Sequence, residues 1–103
     1  MTAALALMHA GYEVFWPAQD GSPTDLVISR PPDTGFLRCQ VKTAHVEEGS
    51  IRCNTRCDKY KPGDFSYLVV VYGQRVWTIP ARYIWGCPTL TLSSFATREL
   101  LWK

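Results

Sequence analysis

Three side chains stand where they could do chemistry together: Asp25, at the head of the apolar run Thr24-Asp25-Leu26-Val27-Ile28, and Gln40 and Lys42, inside the next run. Along a β-strand alternate residues share a face, so Gln40 and Lys42 project together while Val41 turns the other way. An anionic oxygen, an amide oxygen and an ammonium beside one another suit the hydrolysis of a phosphodiester. A hard cation would take the oxygens, and the lysine would serve the attacking water and the charge that builds on the phosphoryl group.

These residues need strands to carry them, and the surrounding sequence supplies them. Thr2 can cap a short helix over about Ala3 to Ala10, ended by Gly11. Tyr12 to Trp16 reads as a strand stopped by Pro17, and Asp25 to Ser29 as a second, stopped by Pro31-Pro32. Asp33-Thr34-Gly35 marks a turn, and Phe36 to Ala44 forms the third strand, with Gln40 and Lys42. After the turn at Glu47-Glu48-Gly49, Ser50 to Thr55 pairs back as a fourth. Tyr67 to Tyr72 is almost wholly apolar, as expected of a strand covered on both faces, and Gly73-Gln74 leads into Val76 to Ile79. Ala81 to Trp85 reads as helical, and Ser94 as the cap of a last short helix through Arg98, Leu100 and Trp102. The chain reads as one α/β domain spanning 1–103, without repeats or linkers. Residues 86–103 form a C-terminal tail available for oligomerisation.

Composition narrows the classes of function. At 103 residues and 47% hydrophobic content there is room for one core. The net charge of +2 permits a nucleic-acid partner without requiring one. The basic residues are uneven, however: Arg52, Arg56, Lys59 and Lys61 fall within ten residues that also hold Asn54, Thr55 and Tyr60, the composition of a phosphate-binding arm. The N-terminal run Ala3 to Met8 lacks the basic flank and small cleavage-site residues of a secretory signal, so a cytoplasmic location is expected. No apolar run approaches the ~20 residues of a membrane span. Cys53 and Cys57 have a spacing that zinc tolerates, but no second close pair completes a tetrahedral set, so the four cysteines read as free thiols. His9 and His45 lack spaced partners and read as surface or packing residues.

The ordered series Gly11-Tyr12-Glu13-Val14, Ser22-Pro23-Thr24-Asp25-Leu26-Val27, Gln40-Val41-Lys42-Thr43, Ser50-Ile51-Arg52 and Asp64-Phe65 before an apolar strand resembles the PD-(D/E)xK nuclease superfamily. It is most similar to the small bacterial branch of group I intron-encoded homing endonucleases, in which glutamine replaces the acidic member of the Glu-x-Lys motif. The resemblance spans about Leu5 to Ile84. It implies a restriction-endonuclease-like core, a mixed β-sheet of about five or six strands with flanking short helices. It also implies a metal-dependent endonuclease acting on double-stranded DNA. Asp25, Gln40 and Lys42 would be catalytic. Asp25, Gln40 and the Val41 carbonyl would hold Mg2+, for which Mn2+ can substitute, and Arg52, Arg56, Lys59 and Lys61 would bind DNA.

So small a protein covers few base pairs, which favours a homodimer or homotetramer. A Holliday junction resolvase with a related fold is a competing enzyme. The resemblance also implies a glutamate on the first helix, where this chain has Met1 or Thr2. Asp25, Gln40 and Lys42 sum to zero charge, so a cation would be held weakly. Glu13 and Asp20 are candidates for the missing carboxylate. The departure predicts a truncated or diverged copy with reduced or lost cleavage, in the limit a DNA-binding relic of the nuclease fold.

Overall fold

The elements form largely where their residues predict. A computed structural model describes residues 2–18, 24–30 and 35–100. Asp20, the Asp33-Thr34 turn and Trp102 lie outside them. Helix α1 covers Thr2–His9, and its small residues Ala3, Ala4 and Ala6, with Leu7, are buried. The helix ends at Gly11, whose φ of 95° is costly for any residue with a Cβ. The Tyr12 amide there donates back to the Leu7 carbonyl at 3.0 Å. Arg30 secures this turn by donating to the Ala10 carbonyl and stacking over the Tyr12 ring.

Five strands make the main sheet: β1 (Glu13–Phe15), β2 (Leu26–Ser29), β3 (Leu37–Thr43), β6 (Tyr67–Tyr72) and β7 (Arg75–Pro80), in the order β1-β2-β3-β6-β7. Neighbours are antiparallel except β3 and β6, which run parallel, so the sheet is mixed. The crossover between those two carries β4 (His45–Glu47) and β5 (Ser50–Asn54), and β8 (Thr89–Thr91), which follows β7, joins them in a second sheet, all antiparallel. The expected fourth strand is thus β5, but it pairs back on His45–Glu47 outside the main sheet. Glu48 and Gly49, at φ 52° and 78°, form its turn.

The main sheet is packed on both faces. Towards α1 it presents Leu26, Ile28, Cys39, Val69 and Val76 against Ala3, Ala6 and Leu7. Towards the second sheet it presents Leu68, Val70, Trp77 and Ile79 against Cys53, Phe65, Ile84, Leu90 and Leu92. That division explains the unbroken apolar run of β6, whose alternate residues enter different cores.

The C-terminal part departs from expectation. Ala81 to Trp85 gives only a 3-10 turn at Ala81–Tyr83. Ser94 caps nothing: a 3-10 segment runs over Leu92–Arg98, preceded by Thr91 and broken at Phe95, because the chain leaves β8 with Leu92 already buried in the core. Glu99 then bridges to Trp77, and the Leu100 amide donates to the Val76 carbonyl at 2.8 Å, so residues 99–100 cover the edge of β7. Among the described residues no helix is long and apolar enough to cross a membrane.

Candidate active site

Antiparallel register brings the predicted residues together. Leu26 lies opposite Cys39, so one step further Asp25 faces Gln40 across the start of β2. The Asp25 amide donates to the Cys39 carbonyl at 2.8 Å, which fixes the residue before its side chain is considered. Its carboxylate oxygen Oδ2 then accepts two hydrogen bonds, from Gln40 Nε2 at 2.7 Å and from the Val41 amide at 2.9 Å. Val41 turns its peptide group towards the space where β2 has not yet begun, and its side chain packs on the helix side.

Gln40 is 8% exposed, and its Oε1 is buried with no hydrogen-bond partner among the described residues. An unpaired buried acceptor costs about 1–3 kcal/mol. A partly buried carboxylate, this amide oxygen and a nearby backbone carbonyl are all hard oxygen donors. They fit a magnesium-class cation, which keeps several of its waters and takes few protein ligands.

Lys42 follows two residues along the same face. Among the described residues it makes no ion pair; its Nζ lies 5.1 Å from the centre of the Tyr60 ring. Tyr60 in turn meets Phe65 edge to face at 5.2 Å, which anchors the ring in the core. Burial pushes the neighbouring Cys53 thiol up to about 11, with Lys42 drawing it the other way. The sequence places Tyr60 in the basic arm but not under Lys42; a tyrosine among lysines near an apolar strand is its only signal.

The basic stretch divides. Arg56, Lys59 and Lys61 are exposed on the loop that carries Tyr60, and that loop is tied to the site. Asp64 closes it by accepting from the Lys61 amide at 3.0 Å, and the Asp64 carbonyl accepts from Thr24 Oγ1 at 3.4 Å. Arg52 stands apart on β5, its guanidinium 4.0 Å from Glu47 and 3.7 Å from Glu48.

Helix α1 contains no Asp or Glu, and no group of three or more His, Cys, Asp and Glu clusters among the described residues. Glu13 cannot supply the missing carboxylate. It pairs with Ser29, four residues along β2 from Asp25 and so about 13 Å away, on the far strand. A cleft of about 250 Å³ lined by Ser50, Arg75, Trp77, Leu92 and Ser93 contains none of the three residues.

The mixed sheet sets Asp25, at the start of one strand, opposite the Gln-x-Lys run on its neighbour, the arrangement that the resemblance to the PD-(D/E)XK class implies. The sequence matches the PD-(D/E)XK endonuclease family over residues 1–76, and the chain belongs to that family. Its fold is similar to that of a bacterial homing endonuclease, I-Ssp6803I, with a TM-score of 0.66 and 22% identity. The alignment covers 80% of this chain and 59% of that one, so the shared fold spans little more than half of the homing endonuclease. No curated protein matches in sequence.

Proposed function

We propose that the chain is a divalent-metal-dependent endonuclease acting on DNA. The observation that carries this reading is the Asp25–Gln40 pair, set by register, with Asp25 accepting from Gln40 and from the Val41 amide and Lys42 on the face of Gln40, in a chain of the PD-(D/E)XK endonuclease family. Endonucleases of this family are generally dependent on a divalent metal.

Asp25 would supply the negative ligand, with Gln40 Oε1 and the Val41 carbonyl beside it. Magnesium or manganese held there would offset charge on the scissile phosphate and lower the pKa of an attacking water. Lys42 orients that water and stabilises the oxyanion, a task for a compact point charge at fixed depth. Tyr60 keeps the ammonium from swinging into solvent. Arg56, Lys59 and Lys61 grip flanking phosphates and set the register of the strand, without reading bases.

The test is conversion of supercoiled plasmid to nicked or linear DNA. Cleavage with magnesium or manganese, abolished by EDTA and by Lys42→Ala, is expected; undiminished cleavage by the variant would sink the assignment. A second reading has its own observation: α1 carries no carboxylate, so among the described residues no helix acid joins Asp25. A non-cleaving DNA-binding protein built on this fold would bind DNA in a salt-sensitive way and show no metal-dependent turnover. Assembly as a homodimer or homotetramer remains part of the proposal, since one small site cannot cut both strands at once.

A further inference from the structure

We infer that the uncovered half of the catalytic face is a stacking platform for an unpaired base, and that the substrate is DNA with a single-stranded segment beside the cleavage point. The inference rests on the nuclease reading above.

Among the described residues, the second sheet and the 3-10 turns cover the catalytic face over β6 and β7, and neither β1 nor β2 contributes a residue to that core. What lies on the open half follows from register. On β3, in the direction away from Lys42, the residues sharing a face with Gln40 are Arg38 and, one residue before the strand, Phe36. Arg38 faces Val27, and Val27 faces Phe15. The face therefore carries Asp25–Gln40 in one cross-strand row and Phe15–Val27–Arg38 in the next, about 7 Å away. Phe36 stands beyond, with its ring 5.9 Å from that of Phe15 at an interplanar angle of 66°.

Neither ring belongs to either core. Phe36 is 66% exposed and Phe15 44%, and Trp16, next in sequence, is 56% exposed. Two rings held edge to face at exposed positions outside both cores are not explained by core packing, and together they offer aromatic surface beside Arg38. Arg38 is exposed between them and the site, with no ion pair among the described residues.

Aromatic faces with an adjacent arginine are the means by which proteins hold unpaired nucleotides: the base stacks and the guanidinium takes the phosphate. In a continuous duplex each base face is already covered by its neighbours, so such a platform is useful only where a strand is unpaired. Glu13, in the same row as Phe36 and of the wrong sign for phosphate, marks its outer limit. A second copy of this chain is a poorer occupant, because a twofold contact centred on the patch would bring two Arg38 guanidinium groups together.

The experiment measures binding of labelled oligonucleotides of equal length as single strand, flap and blunt duplex, by fluorescence anisotropy in EDTA so that no cleavage intervenes. The wild-type protein is expected to prefer single strand and flap over duplex. Phe15→Ala combined with Phe36→Ala is expected to reduce that preference about tenfold or more. Phe36→Leu, at an exposed position where the fold is not at risk, should lower it in the same direction because bulk is kept and the ring is lost. A preference untouched by these variants, or kept by the leucine variant, overturns the inference. So does sedimentation showing that the double variant dissociates a dimer. Plasmid cleavage by the wild type separates the two readings: a protein that cuts plasmid but shows no single-strand preference refutes the platform alone, and one that neither binds nor cuts refutes both.

Discussion

Gln40 donates its amide N–H to Asp25 at 2.7 Å directly across the β2–β3 pair. Where a second carboxylate would repel Asp25, the amide neutralises the cross-strand contact and stabilises the sheet margin at the expense of ligand charge. Gln40→Glu should reverse that exchange. Without metal, two carboxylates opposite each other and a lost hydrogen bond should destabilise the protein by about 1–2 kcal/mol. Magnesium should then raise Tm more in the variant than in the wild type, because only the folded state presents both carboxylates to the ion. Differential scanning fluorimetry across a magnesium series measures this, and equal metal shifts for the two proteins would argue against a cation at this pair.

Lys42 and Tyr60 form the next test. Lys42→Ala should lower the plasmid nicking rate about 100- to 1,000-fold, in the range for loss of a group that meets charge in the transition state. Lys42→Arg should not rescue it, since a planar fork fits poorly where a point charge is needed. Tyr60→Leu keeps an apolar group against Phe65 and removes the ring beneath the ammonium. A loss of about two- to fivefold is expected, the scale of one cation–π contact near the surface. Single-turnover rates at saturating metal would separate these outcomes from binding defects.

The basic loop should reveal itself in salt dependence. Each of Arg56→Ala, Lys59→Ala and Lys61→Ala that removes a phosphate contact should reduce the slope of log affinity against log salt by about 0.9. Arg52→Ala should change the slope less, since its guanidinium is already engaged by Glu47 and Glu48. A titration at several salt concentrations decides between an arm of four cations and one of three.

Burial sets the reactivity of the thiols. Desolvation pushes Cys39 up to about 12 and Cys53 up to about 11, whereas Cys87 is exposed. At pH 8 a thiol reagent should modify Cys87 at once and reach Cys39 and Cys53 only on unfolding. Both acids are raised above their ordinary value of 9.0, so the folded state keeps protons that the unfolded state gives up. Their contribution to stability is complete below pH 9 and is lost as pH rises towards 11 and 12. Mass spectrometry after a short alkylation pulse reads the site order directly.

The main sheet and its site were legible because their signals are local. Alternation put Gln40 and Lys42 on one face and Cys39 and Val41 on the other, and an unbroken apolar run announced β6 as a central strand. Asp25 could be placed at the head of β2, but its contact with Gln40 depends on a register that only the paired strands display. The second sheet was not legible: Thr89–Thr91 is three residues long, and β5 follows a turn that reads the same whichever sheet receives it. The C-terminal segment misled for a related reason. Ser94 has the chemistry of a helix cap, yet the burial of Leu92 and the hydrogen bond from Leu100 to Val76 hold the chain against the sheet instead. Tyr60 could be named from sequence but not seen to lie under Lys42, a contact made by a loop.

That edge contact supplies a pH-dependent prediction. Arg75 Nε and an Nη donate to the two carboxylate oxygens of Glu99 at 2.8 and 2.9 Å, a bidentate pair joining β7 to the segment that covers it. The hydrogen bonds from Arg75 hold the Glu99 carboxyl below its ordinary value of 4.5, with burial opposing. For an acid whose folded pKa is depressed, the stabilisation is present above the unfolded value and is lost as pH falls through the folded one. The wild type and Glu99→Gln should therefore differ in Tm at neutral pH and converge as acid protonates Glu99. The Leu100 amide, which donates to Val76, should exchange with solvent faster in the variant at neutral pH and equally fast in both proteins in acid. A Tm difference that persists unchanged into acid would mean that the glutamine disturbs packing around Trp77 and that the ion pair contributes little to holding the edge.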